Sequence, residues 1–200
     1  MKISIITVTY NSGATLEQTI RSVASQSYNH IEYIVVDGGS TDNTPELIKK
    51  YGDVITASVS EKDQGLYHAL NKGIAMTTGE VIGMLHSDDF YINNEVVQKY
   101  ADTFIKTGAD AVYSDLYYVN AHNTDKVIRK WKSGTYREGS FKSGWMPPHP
   151  TFFVKKEVYN RFGDFNLNFK TAADYELMLR FIHKHKIRLA YLPEFTIKMR

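Results

Sequence analysis

An apolar run, Val81-Ile82-Gly83-Met84-Leu85, ends abruptly in His86-Ser87-Asp88-Asp89. Such a run reads as a strand buried on both faces, and it delivers two neighbouring carboxylates to one edge. Adjacent anions repel each other, and a divalent cation carrying a diphosphate is the commonest chemical reason for keeping them together. The pattern points to nucleotide chemistry. Three further strand ends are polar: Thr9-Tyr10-Asn11, Asp37-Gly38-Gly39-Ser40-Thr41-Asp42 and Ser60-Glu61-Lys62-Asp63. Ligands of parallel α/β sheets collect at the carboxyl ends of strands, so the four ends are expected to converge on one pocket.

The elements that must position these residues follow from periodicity. Lys2 to Val8 and Ile31 to Val36 are nearly continuous β-branched runs, as parallel strands require. Between them Leu16, Ile20, Val23 and Ala24 give one apolar helical stripe, with Thr15 and Gln18 spaced as a capping box. Thr44-Pro45 predicts an N-cap and first helical residue for a short helix through Leu47, Ile48 and Tyr51. A strand is expected around Val54 to Val59, then a helix from Leu66 to Ile74 that stops at Thr77-Thr78-Gly79. After the opening strand, Val96 to Ile105 reads as a helix and Ala111 to Ser114 as a strand ending at Asp115.

Beyond residue 115 the alternation of strand and helix is lost. Leu116 to Val119 and Val127 to Trp131 flank a polar turn and predict an antiparallel hairpin. Gly139 to Pro150 reads as a functional loop, followed by a helix carrying Leu177, Met178, Phe181 and Ile182. A strand from Arg188 to Leu192 and an extended Pro193 to Arg200 close the chain. The expectation is α/β: a mostly parallel central sheet flanked by helices, with a small antiparallel hairpin late in the chain. Residues 1–200 are read as a single domain in two halves, 1–115 and 116–200.

With 200 residues and 42% hydrophobic content, the chain can bury one substantial core. Its 24 basic and 22 acidic residues are mixed, which leaves no nucleic-acid footprint. Late basic residues, from Lys126 to Lys142 and from Lys184 to Arg200, could face anionic lipid or a phosphate-bearing acceptor. The first residues are too short and polar a stretch for a signal peptide, so a cytoplasmic protein is expected, with peripheral attachment to the cytoplasmic membrane face as its one membrane role. The chain has no cysteine, which excludes thiolate metal sites and cysteine nucleophiles. No dinucleotide Gly-x-Gly-x-x-Gly, phosphate-loop Gly-x-x-x-x-Gly-Lys-Ser/Thr, His-Glu-x-x-His or Gly-x-Ser-x-Gly pattern occurs.

Taken together, Thr7 to Asn11, Ile34 to Asp42, Glu61 to Gly65 with Asn71-Lys72-Gly73, and Leu85 to Asp89 resemble the family 2 glycosyltransferases of GT-A fold. Later segments fit the resemblance too: His149-Pro150-Thr151-Phe152-Phe153 on the acceptor side, Gly163-Asp164-Phe165-Asn166 as a glycine-aromatic turn, and Ala173-Asp174-Tyr175-Glu176-Leu177 around the base. The blocks are similar to those of bacterial transferases that build surface polysaccharides. The resemblance implies inverting transfer from a nucleotide-sugar donor, UDP-sugar favoured, to a glycan or lipid-linked saccharide acceptor. It places Thr9, Tyr10 and Asn11 around base and ribose, Asp37 on the base edge, Asp63 near the ribose or donor phosphates, and His86 and Ser87 beside the donor. A departing diphosphate needs a Lewis acid, Mn²⁺ or Mg²⁺ on carboxylate oxygen. Asp88 is the expected ligand, with Asp89 as helper or as a cap for the turn. The acceptor hydroxyl must lose a proton as it attacks, and the resemblance implies Asp174 as the base, the other reading being a first-turn acid that favours the helix dipole. His149 and Glu176 are read on the acceptor side, Glu176 equally as a structural residue.

Two departures stand out. The family often has Asp where His86 stands, which implies weaker cation binding here, and Ala173 replaces an acid that often precedes the base. Such gaps, with an end near Met199-Arg200 that is short for the family, keep open an inactive sugar-nucleotide-binding domain. A sugar nucleotidyltransferase fits less well, because Thr9-Tyr10-Asn11-Ser12-Gly13 lacks a basic phosphate loop.

Overall fold

The β-branched runs do lie side by side as parallel strands. In the computed structural model, which describes residues 1–200, β1 (Ile3–Thr9), β2 (Ile31–Asp37), β3 (Ala57–Ser60) and β4 (Val81–Met84) stand in the order β3-β2-β1-β4. Helices α1 (Leu16–Ala24), α2 (Thr44–Lys50) and α3 (Leu66–Met76) connect them. Register sets the exits abreast: Thr9 pairs with Asp37, Asp37 with Ser60, and Ile6 with Met84. All four polar strand ends therefore reach one edge, as the sequence predicts.

The rest of the chain is more interwoven. Its elements are β5 (Phe90–Tyr91), α4 (Val96–Thr107), β6 (Ala111–Val119), β7 (Val127–Trp131), β8 (Phe153–Lys155), α5 (Lys156–Phe162), α6 (Ala173–Met178) and β9 (Leu189–Met199). The sheet continues as β4-β8-β6-β9-β5, with β7 added to β6. β6 and β9 run parallel, whereas β8 is antiparallel to both β4 and β6. The predicted hairpin forms between β6 and β7. Its first strand is not separate: β6 runs unbroken through residue 115, so the division between halves falls inside a strand. Likewise the expected strand and tail at the end are one strand, β9. Its register against β6 jumps from Leu192 to Phe195, so Pro193, which has no N–H to give, sits in the irregularity.

Local differences have simple causes. The capping box does not form, because Gln18 is taken by the Arg200 guanidinium and the Thr15 side chain makes no cap bond. Asn43, not Thr44, precedes α2, and Thr44 Oγ1 instead accepts the Ser12 N–H at 2.9 Å. Val54 and Ile55 belong to the turn after α2, where both N–H groups donate to Tyr51 O, so β3 starts later than predicted.

Apolar cores cover both faces of the sheet. Gly83 on β4 is where a small residue is required: a Cβ there would stand 2.4 Å from the Phe153 ring, which itself stacks on Tyr100 at 3.9 Å. At the opposite edge from the strand exits, the buried Glu32 carboxylate ties β1, β2 and the α3–β4 turn. It accepts from Lys2 Nζ (2.7 Å), Ser4 Oγ (2.5 Å), Thr78 N–H (2.7 Å) and Thr78 Oγ1 (2.5 Å). Burial pushes its pKa up, but these donors outweigh it and hold the group at about 2. Glu32→Ala is expected to cost about 2 kcal/mol at neutral pH by stranding those donors. Because the folded pKa is depressed from 4.5, the carboxylate's contribution is present above 4.5 and lost as pH falls toward 2. Urea titrations across that window should show a shallower acid limb in the variant than in the parent.

Candidate active site

The strand exits enclose a cleft of about 540 Å³. Val8, Thr9, Tyr10 and Ser12 line it from β1, Asp63, Gly65, Leu66 and Ala69 from β3 and α3, His86 to Asp89 from β4, and Met199 from β9. Tyr10 is 63% exposed, so its ring offers an uncovered face to a planar ligand. Thr9 Oγ1 is buried without a hydrogen-bond partner, and Ser87 Oγ bonds Ser12 Oγ at 2.9 Å. Asp63 uses Oδ1 to accept the Gly65 N–H at 2.8 Å, while its Oδ2 lies 2.7 Å from where a Gly38 Cβ would be. Only glycine at 38 lets this carboxylate lie against the β2 exit.

Two of the predicted donor residues do not line the cleft. Asp37 is fully buried and does not line the cleft; its carboxylate accepts the Ser40 N–H and the hydroxyls of Ser40 and Ser60, both at 2.5 Å. A nucleobase edge would have to replace one of those donors. Asn11 has φ +49 and stitches the β1 and β2 loops together, its N–H to Ser40 Oγ (2.8 Å) and its Oδ1 from the Thr41 N–H (2.9 Å).

Asp88 and Asp89 do end up at the cleft, but in opposite environments. Asp88 is exposed and its carboxylate has no protein partner. Asp89 is 1% exposed: Oδ1 accepts the Arg200 N–H at 3.3 Å, and Oδ2 is buried with no partner. Burial, and then the neighbouring Asp88 charge, push the Asp89 pKa well above the carboxylate range. No group of three or more His, Asp or Glu side chains forms a closed cation cage. One free carboxylate with an orphaned buried oxygen beside it does fit a cation whose remaining ligands come from a diphosphate.

The residues expected around the base, Asp174 and His149, do not line the cleft. The His86 ring faces His149 with centroids 5.8 Å apart, and His149 meets Phe165 edge-on at 5.7 Å. Burial lowers the His86 pKa, while the charges of both Asp88 and Asp174 act to raise it. His86 thus lies within electrostatic reach of both carboxylates. Asp174, in the first turn of α6, accepts a hydrogen bond from Tyr67 OH at 3.0 Å, and its Oδ2 is left without a protein partner. Ala172, ahead of it, holds φ +62, which fixes the entry of the chain into α6.

Tyr67, on α3, is the residue that sequence reasoning missed. Its ring stacks on Phe165 at 5.5 Å, and neighbouring Asn71 clamps the Phe165 backbone by two reciprocal 2.9 Å bonds. Asp174 is 107 positions away in sequence, so no local spacing could signal the contact. Glu176 is not part of this group: Arg180 pairs with its carboxylate at 2.8 Å while donating to Gly163 and Asp164 carbonyls.

The family description Glycosyl transferase family 2 matches residues 4–174. The chain belongs to glycosyl transferase family 2. Among its relatives, an uncharacterized glycosyltransferase of Mycobacterium tuberculosis is 29% identical over 186 residues, covering 89% of this chain and 68% of the relative. A PGL/p-HBAD biosynthesis glycosyltransferase of Mycobacterium bovis is 26% identical over 189 residues, covering 88% and 68%. S. aureus TarS 1-349 in complex with UDP-GlcNAc superposes with TM-score 0.79 at 21% identity, over 100% of this chain and 58% of that one. The mannosyltransferase PcManGT of Pyrobaculum calidifontis, in complex with GDP-Man and Mn²⁺, gives 0.73 at 20%, over 96% and 55%. This family 2 glycosyltransferase therefore has the predicted GT-A fold, and it spans little more than half the length of those solved structures.

In this glycosyltransferase the half-buried His149 also makes a stability prediction. Burial first, and the facing His86 second, hold its pKa at about 4 against 6.5 unperturbed, despite the opposing pull of Asp174. The neutral ring is the folded form, so its contribution is whole above 6.5 and is lost as pH falls toward 4, where the unfolded chain takes up the proton more readily. His149→Phe should flatten the pH dependence of the unfolding free energy across that window; an unchanged slope would place the titration elsewhere.

Proposed function

We propose that this chain is an inverting glycosyltransferase that moves a sugar from a nucleoside-diphosphate sugar, UDP-sugar favoured, to a glycan or lipid-linked saccharide in cell-envelope polysaccharide synthesis. The observation that carries the reading is the cleft itself, where the free Asp88 carboxylate and the exposed Tyr10 ring stand together, with His86 in its wall and the charges of both Asp88 and Asp174 acting on that ring. An activated sugar held by its diphosphate at Asp88 would have the base on its far side. The Mycobacterium bovis relative named for PGL/p-HBAD biosynthesis supports a biosynthetic transferase.

Tyr10 would cover the base or ribose, and Thr9, Asp63 and Ser87, which line the same cleft, would take its polar groups. Asp88, with Asp89 behind it, would hold Mn²⁺ or Mg²⁺, which when bound supplies Lewis acidity to the leaving diphosphate. Asp174 Oδ2 takes the acceptor hydroxyl proton while the acceptor oxygen bonds to the anomeric carbon. The bond from that carbon to the diphosphate oxygen breaks, and the nucleoside diphosphate carries away the electron pair. Tyr67 fixes Oδ1 so that Oδ2 faces the acceptor.

The test is calorimetric binding and turnover with UDP-, GDP- and dTDP-sugars, with and without Mn²⁺. Tight, cation-dependent binding of a UDP-sugar with release of UDP supports the proposal. Binding without release under any acceptor would return the chain to the non-catalytic sugar-nucleotide-binding reading.

A further inference from the structure

Strand β7 is an open edge of the sheet: it pairs with β6 on one side, and four of its five residues are exposed. From Lys126 to Lys132 the sequence reads Lys-Val-Ile-Arg-Lys-Trp-Lys, with four cations and no acid. None of the four enters an ion pair. The preceding Asp125 is already engaged by Lys198 at 3.6 Å.

Apolar and aromatic groups share this edge. Ile128 is 64% exposed, and Val127 beside it is exposed as well. The Arg129 guanidinium lies 5.5 Å from the ring centres of both Tyr118 and Trp131, and Lys130 lies 5.8 Å from Tyr117, which stacks on Phe195 at 3.9 Å. Unpaired cations, β-branched side chains and interfacial aromatics together match the boundary between anionic headgroups and acyl chains. Addition of a strand from another protein is opposed by the same residues, since Lys and Arg along an edge repel a second such edge.

We infer that the β7 edge is a docking surface for an anionic lipid bilayer. The surface leads to the cleft: Tyr118 on β6 stands opposite Met199 on β9, and Met199 lines the cleft beside Asp88 and Asp89. Docking there sets the cleft mouth beside the bilayer. The inference does not depend on glycosyl transfer, because lipid binding is measured without donor or acceptor.

The test is cosedimentation of the full chain with vesicles of phosphatidylcholine alone or mixed with phosphatidylglycerol. Binding is expected to the mixed vesicles only and to weaken as salt is raised. Each of Lys126→Gln, Arg129→Gln and Lys130→Gln should lower the partition coefficient about fivefold, and the triple variant on the order of a hundredfold. Ile128→Ser should give a smaller loss. Lys49→Gln with Lys106→Gln, two exposed cations on α2 and α4, should change it little. Equal binding to both vesicles, or a triple variant that is folded by circular dichroism and binds like the parent, would overturn the inference. So would a lipid-free dimer of the parent that the triple variant fails to form, which would assign the edge to strand pairing.

Discussion

Asp174→Asn is expected to retain the donor and lose transfer, with kcat falling on the order of a thousandfold. The amide keeps the shape of the carboxylate and can still accept from Tyr67 OH, so the first turn of α6 has no reason to move. What it cannot do is take a proton from the acceptor. Donor affinity should be little changed, because Asp174 does not line the cleft where Tyr10, Asp63 and Asp88 converge. Calorimetry with a UDP-sugar, run beside turnover, separates the two quantities. A variant that no longer binds donor would move Asp174 out of the base role and into donor binding. Tyr67→Phe offers a graded comparison: it removes the partner of Oδ1 but leaves the proton acceptor, so kcat should drop by about tenfold with the donor KM unchanged.

Asp88→Asn is expected to act on the other quantity. The carboxylate is exposed and free of protein partners, so its removal should leave unfolding stability within about 0.5 kcal/mol of the parent. Donor binding in Mn²⁺ should nevertheless weaken about a hundredfold, to the level that parent and variant share in chelator. Asp89 is a poor substitute, since burial, the larger cause, still disfavours its anion once the Asp88 charge is gone. Cation dependence that survives in the variant would take Asp88 out of the ligand role. Equal stability of the two proteins by urea titration keeps a folding defect from imitating the effect.

The donor-side half of the sheet was legible because each strand there is a run of β-branched residues with a polar exit, and parallel pairing brings such exits together without further information. Its carboxylates were legible for the same reason. β8 was not: three residues long and wedged between β4 and β6, it owes its conformation to partners about 70 and 40 positions away, and no periodicity fits in so short a segment. Helical spacing alone does not say whether Asn71 supports the pocket or faces solvent. The structure makes it the clamp on Phe165, a contact set by tertiary packing alone. Asp37 shows the converse: its place at a strand exit was evident, but its satisfaction by Ser40 and Ser60 depends on loop geometry that sequence does not display.

The place of β8 has a consequence for the order in which the molecule forms. β4, the strand that presents Asp88, pairs on one side with β1, which precedes it, and on the other with Val154 and Lys155, made some seventy residues later. Until that segment leaves the ribosome, a nascent chain has β4 as a bare parallel edge, with no Phe153 ring over Gly83. Closing that edge requires a long loop to be ordered, which makes it a late and slow step in folding. A chaperone that shields hydrophobic strand edges during synthesis would therefore have its longest opportunity at the strand that carries the chemistry.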